Sequence, residues 1–174
     1  MKVVILAGGL GSRLGHLSDI MPKPMVRIGD NPIIWHIMKI FSSYGLNEFV
    51  LCLGYRSKDI KEYFYNYQMH TSNFSIDLGS GDIKYFENND EYNWNVTLVD
   101  TGLHALKGAR IKRIQKYLSN DDTNILTYGD GLSDINVDKL LKFHHSHKKI
   151  LTITGVRPPA RFGEIIEDNR KVIH

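Results

Sequence analysis

The chain has 174 residues, 42% of them hydrophobic and 24% charged, with a net charge of +3. That balance suits one compact domain with its own core and excludes the dense Lys/Arg blocks of nucleic-acid arms. The single cysteine, Cys52, excludes an internal disulfide framework and favours a reducing compartment. Lying mid-strand in "FVLCLGY", it reads as core packing, not as a nucleophile. No apolar stretch approaches the roughly 20 residues of a membrane helix, and "MKVVILAGG" is too short an apolar run for a signal peptide. The expected location is therefore cytoplasmic, with no membrane and no nucleic acid among the partners. Two sequons, Asn73-Phe-Ser and Asn95-Val-Thr, are then chance matches.

Val3–Ala7 is a continuous apolar run, the pattern of a strand buried on both faces. "DNPIIWHIMKIFSSYG" predicts a helix with Asp30 or Asn31 as N-cap, Pro32 in the first turn and Gly45 just past the end. "EFVLCLGY" is the next strand. Ser57 is placed to cap "KDIKEYFYNYQ", where Ile60, Phe64 and Tyr67 share a face. Between residues 70 and 93 the pattern changes: "FSIDLG" and "IKYFEN" flank Gly79, Gly81 and Asp82, which predicts a β-hairpin insertion. Strand "NVTLVDTG", helix "ARIKRIQKYL", strand "NILTYGDG", helix "VDKLLKFHHSHKK" and strand "ILTITGV" follow. This alternation implies an α/β fold over residues 1–174: a Rossmann-like, mostly parallel sheet with helices on both faces. Ligands of such sheets bind beyond the carboxyl ends of the strands.

Several unusual segments fall at those ends. In "ILAGGLGSRL", backbone N–H groups at Gly8, Gly9 and Gly11 can approach an anion without side-chain clash, and Arg13 adds a donor fork suited to phosphate. The loop has neither the Walker A ending nor the G-x-G-x-x-G spacing of a dinucleotide site. A purely structural tight turn is the alternative for the loop taken alone. In "MPKPM" the prolines push their preceding residues toward extended backbone, so Lys23 is expected on a stiff, non-helical frame. "TYGDG" presents Asp130 between Gly129 and Gly131, an accessible carboxylate of the kind Mg²⁺ shares with phosphate oxygens and water. An ordinary Asp-Gly turn is the alternative there. Taken together, the three features favour a nucleoside-triphosphate site.

These residues resemble the sugar-phosphate nucleotidyltransferase family. "LAGGLGSRL" looks like its signature loop and "PKPM" like its lysine segment. "PIIWHIMKIFSSYG", "VLCLGYRSKDIKEYF", "WNVTLVDTG" and "TYGDG" look like its cytidylyl branch. The likeness covers nearly the whole chain. It implies transfer of a cytidylyl group from CTP to α-D-glucose 1-phosphate, giving CDP-glucose and pyrophosphate, in an oligomeric enzyme of surface-polysaccharide synthesis. It implies that Gly8, Gly9, Leu10, Gly11 and Ser12 cradle the nucleotide, with Leu6 and Ala7 near the base. Arg13 would grip the triphosphate, and Lys23 would lie by the reacting phosphates. Asp130 would hold Mg²⁺, Gly129 would border the nucleotide, and Arg110 would contact it. No general base is expected, because the attacking phosphate oxygen is already ionised. Catalysis is then alignment and charge neutralisation.

Two departures stand out. Where the family usually has M-T-G-G-R, this chain has Leu106, Lys107, Gly108, Ala109 and Arg110. Relatives also continue further, with a second metal-binding aspartate and a sugar-phosphate lysine, so an incomplete catalytic site is expected in this chain. The alternative is a non-catalytic nucleotide-binding or subunit-interaction protein on the same fold. A nicotinamide oxidoreductase is disfavoured by the loop spacing. His144 and His147, three apart on a helix, read as a polar helix end before a metal site. The aromatic-rich "EYFYNYQMH" reads as core or subunit contact before base stacking.

Overall fold

A computed structural model describes residues 1–11, 20–86, 90–118 and 123–156, together with the backbone of 167–168 and 171–172. The chain divides into two compact units, Met1–Val137 and Asp138–His174.

The first unit is built on a four-stranded sheet in the order β7-β4-β1-β8. Its strands are β1 (Val3–Leu6), β4 (Glu48–Leu53), β7 (Asn95–Asp100) and β8 (Ile125–Tyr128), and every pairing is parallel. The central strands are apolar on both sides because both faces are covered. Val3, Ile5, Phe49, Leu51 and Leu53 pack on one face against Ile34, Ile37 and Met38 of α1 (Ile33–Ser42) and Ile60 of α2 (Ser57–Tyr65). Val4, Val50 and Cys52 pack on the other face against Ile114, which follows α4 (Lys107–Arg113). Burial pushes the Cys52 thiol up to about 11, which fits packing and not nucleophilic use.

The helix ends differ from the sequence expectation. Neither Asp30 nor Asn31 caps α1; Pro32, in extended backbone, takes that place. Asn31–Pro32 (β3) instead pairs with Arg27–Ile28 (β2). Gly45 does close the helix: its φ is 76°, its N–H donates to Ser42, and Leu46 N–H reaches back to Phe41. Ser57 is the first helical residue and not a cap, because Arg56 takes the left-handed turn before it. The helix breaks at Asn66, so Tyr67 begins a separate α3 (Tyr67–Thr71). The hairpin is present as β5 (Phe74–Ile76) against β6 (Ile83–Tyr85), antiparallel.

The second unit takes all but the first residue of α5 (Val137–His147), which precedes residues 148–156, and in it Glu167–Asp168 (β9) pairs antiparallel with Lys171–Val172 (β10). The strand expected at "ILTITGV" does not form. Residues 151–156 are irregular, with Leu151, Ile153 and Val156 exposed. A strand exists only through its hydrogen-bonded neighbour, which the apolar pattern alone cannot supply. His144 Nδ1 and His147 Nε2 both bond the Thr152 hydroxyl, at 2.8 and 2.9 Å. Among the described residues, no group of three or more His, Cys, Asp or Glu is arranged to hold a metal, and no helix is long and apolar enough to cross a membrane.

Candidate active site

The strand order locates the site. The chain moves outward from β1 to β4 to β7, then returns to place β8 on the other flank of β1. The winding thus reverses between β1 and β8, and a crevice opens beyond their carboxyl ends at such a point. A hollow of about 290 Å³ lies there, lined by Leu6, Ala7, Gly8, Gly9 and Gly11 after β1 and by Tyr128, Gly129 and Asp130 at the end of β8. Lys23, Pro24, Ala105, Leu106, Lys107 and Arg110 complete it.

Nine of the residues expected from the sequence meet in this hollow: Leu6, Ala7, Gly8, Gly9, Gly11, Lys23, Arg110, Gly129 and Asp130. Leu10 does not line it and is 51% exposed. Ser12 and Arg13 lie outside the described residues. Ala105, Leu106, Lys107 and Tyr128 are additions; the sequence signal for two of them, Leu106 and Lys107, was the altered stretch leading to Arg110.

The loop is held at its base and open above it. Ala7 N–H donates to the Cys52 carbonyl at 3.0 Å, and Tyr55 N–H donates to the Gly8 carbonyl at 3.2 Å. Gly129 N–H donates to the Leu6 carbonyl at 3.0 Å, which ties the tip of β8 to β1. Among the described residues, no acceptor takes the N–H groups of Gly9, Leu10 or Gly11. Such amides at a strand tip are available to an anion.

Lys23 begins a single 3-10 turn, Lys23–Met25, and is not on the extended frame its prolines suggested. The turn closes through Met25 N–H on the Pro22 carbonyl at 2.8 Å, a bond that Pro24's missing N–H does not disturb. Pro24 is buried beneath it, and Lys23 Nζ lies 2.6 Å from Asp130 Oδ2. Two residues 107 positions apart are thus joined across the hollow.

Arg110 is 6% exposed. Its Nη1 donates to the Leu53 carbonyl and the Thr101 hydroxyl at 2.9 and 2.8 Å, and its Nη2 to the carbonyls of Gly8 and Leu103 at 2.9 and 3.2 Å. Burial lowers its pKa, while the nearby Asp100 carboxylate opposes that shift. The guanidinium fills a slot between two glycines. A Cβ on Gly8 would lie 2.6 Å from Arg110 Cζ, and one on Gly54 would lie 2.6 Å from Nη1. Gly8 is therefore small to admit an arginine from α4 as much as to admit a ligand. Arg113 beside it donates to the Thr101 carbonyl.

A larger groove of about 580 Å³ lies between α2, α3 and β7, lined by Phe64, Tyr65, Tyr67, Glu91, Trp94 and their neighbours. Its walls are mainly aromatic and aliphatic, and of its two carboxylates, Glu62 and Glu91, the latter already accepts from Lys39 and from the Tyr67 hydroxyl. It has neither open loop amides nor a strand-tip carboxylate, so the smaller hollow carries the polar chemistry.

Residues 2–174 match the nucleotidyl transferase family, and the chain belongs to it. Over 165 residues it is 45% identical to glucose-1-phosphate cytidylyltransferase of Salmonella typhimurium, covering 95% of this chain and 64% of that protein. A Bacillus subtilis protein named as a probable glucose-1-phosphate cytidylyltransferase is 40% identical over 169 residues, covering 97% of this chain and 65% of its own length. The solved structure of HddC from Yersinia pseudotuberculosis complexed with GMP-PN superposes with a TM-score of 0.58 at 25% identity, over 82% of this chain and 53% of that one. The chain thus spans just under two thirds of the curated relatives it matches.

Proposed function

We propose that the hollow binds CTP and that the chain carries the nucleotide-binding portion of a glucose-1-phosphate cytidylyltransferase, transferring a cytidylyl group to α-D-glucose 1-phosphate. The observation that carries this is the meeting of glycine loop, lysine and aspartate at the reversal of strand order, in a chain 45% identical to such an enzyme. The loop amides suit the phosphate chain. Asp130 is the residue that would hold Mg²⁺, with phosphate oxygens and water completing its shell. The bound ion would supply charge neutralisation at the phosphates. Lys23 now rests its ammonium on that carboxylate, so a cation is already favoured at Asp130 and a phosphate-binding group is held beside it.

The sugar phosphate must approach a phosphorus ringed by negative oxygens. Lys23 and the loop amides oppose that repulsion and align the groups, so catalysis here is alignment and charge neutralisation. Cytoplasmic location, assembly into an oligomer and a role in polysaccharide synthesis belong to the same proposal.

Pyrophosphate release, measured with CTP, UTP and dTTP each paired with glucose 1-phosphate, tests it. The expected result is release with CTP ahead of the other two. CTP binding without turnover supports the second reading, a non-catalytic nucleotide-binding protein. Neither binding nor turnover overturns both.

A further inference from the structure

Three cations among the described residues line the hollow, and they are committed differently. Lys23 is held by Asp130 at 2.6 Å. Arg110 has its four terminal N–H groups directed at four protein oxygens, those of Leu53, Thr101, Gly8 and Leu103. That geometry leaves it only Nε–H to offer a ligand. Lys107 has no such partner. Among the described residues no carboxylate pairs with it, and its Nζ stands 5.2 Å from the centre of the Tyr128 ring.

An ammonium on a half-exposed ring face is weakly held, because the ring quadrupole competes with water. Tyr128 is 50% exposed. An anionic oxygen is the better partner, since a charge-assisted hydrogen bond outweighs that contact. Tyr128 also ends β8 and stands two residues before Asp130, so Lys107 rests on the wall that leads to the carboxylate.

We propose that Lys107 is a further phosphate-binding residue of this hollow. Its ammonium leaves the Tyr128 ring and bonds an oxygen of the triphosphate. The inference rests on the reading of the hollow as a nucleotide site. It assigns the anion contact on the α4 side to Lys107 and leaves Arg110 to position the loop through the Gly8 carbonyl.

Calorimetric titration of the full 174-residue chain with CTP and with inorganic tripolyphosphate, both with Mg²⁺, tests it. Lys107→Met should weaken both probes by the same factor, roughly tenfold, the scale for one charged hydrogen bond. Lys107→Arg should restore most of the loss, because it keeps the charge. Unchanged affinities in Lys107→Met overturn the inference while leaving the nucleotide site standing. So does a loss seen with CTP and absent with tripolyphosphate, which would put Lys107 on the nucleoside. A wild-type chain that binds neither probe overturns the nucleotide site and the inference with it.

Discussion

Two lysine–carboxylate pairs in the first unit share one N···O distance, 2.6 Å, and differ in everything around it. Glu91 is 7% exposed, and its second oxygen accepts from the Tyr67 hydroxyl, which itself accepts from Trp35 Nε1 at 2.7 Å. Lys39 also lies 5.5 Å from the Trp35 ring centre. Removing Lys39 would leave a buried carboxylate with the Tyr67 hydroxyl as its remaining partner. Asp130 and Lys23 are each about a third exposed, at 34% and 31%, and stand beside glycine backbone and an open hollow. Solvent screens that pair, and a ligand can replace either half. The contact distance does not distinguish a structural pair from a functional one; the number of further partners and the burial of the carboxylate do.

Breaking each pair should separate stability from activity. The largest effect is expected for Lys23→Ala, a loss of roughly 10²–10³-fold in kcat, the scale for removing one electrostatic stabiliser. The urea midpoint should stay close to wild type, since an exposed pair is worth at most about 1 kcal/mol. A change confined to KM would contradict the assigned role. Arg110→Met comes next, with about 3 kcal/mol of stability lost by urea unfolding, because four oxygens lose a common donor. Gly8→Ala should show part of the same loss by pressing on the guanidinium. The smallest effect is that of Lys39→Met, about 1–2 kcal/mol, with CTP affinity unchanged. A Lys39 variant that lost CTP binding and kept its stability would invert the comparison.

The sheet was legible because its signal is local. Val3–Leu6 and Glu48–Leu53 are apolar runs bounded by turn residues, and both are buried strands. The glycine loop, Lys23 and Asp130 were legible as chemistry, and the strand order brings them together. The rest depends on neighbours far along the chain. Arg110 was read as a nucleotide contact from the family resemblance and does line the hollow, but its protein partners at Gly8 and Leu53, 102 and 57 positions away, could not be read from the chain. Glu91 carried no signal, since its role comes from Lys39 and Tyr67 closing around it. "ILTITGV" has the composition of a strand, yet Ile153 is 78% exposed in irregular backbone. Composition states a preference for strand; only a partner edge makes one.

The most direct test of the central claim is a CTP titration with Mg²⁺, followed through backbone amide shifts by NMR. The hollow at the tips of β1 and β8 predicts that Gly9, Gly11, Lys107, Gly129 and Asp130 shift together and saturate with one affinity, while the indole N–H groups of Trp35 and Trp94 stay still. Shifts gathered around Tyr67 and Trp94, with the glycine loop unmoved, would contradict it.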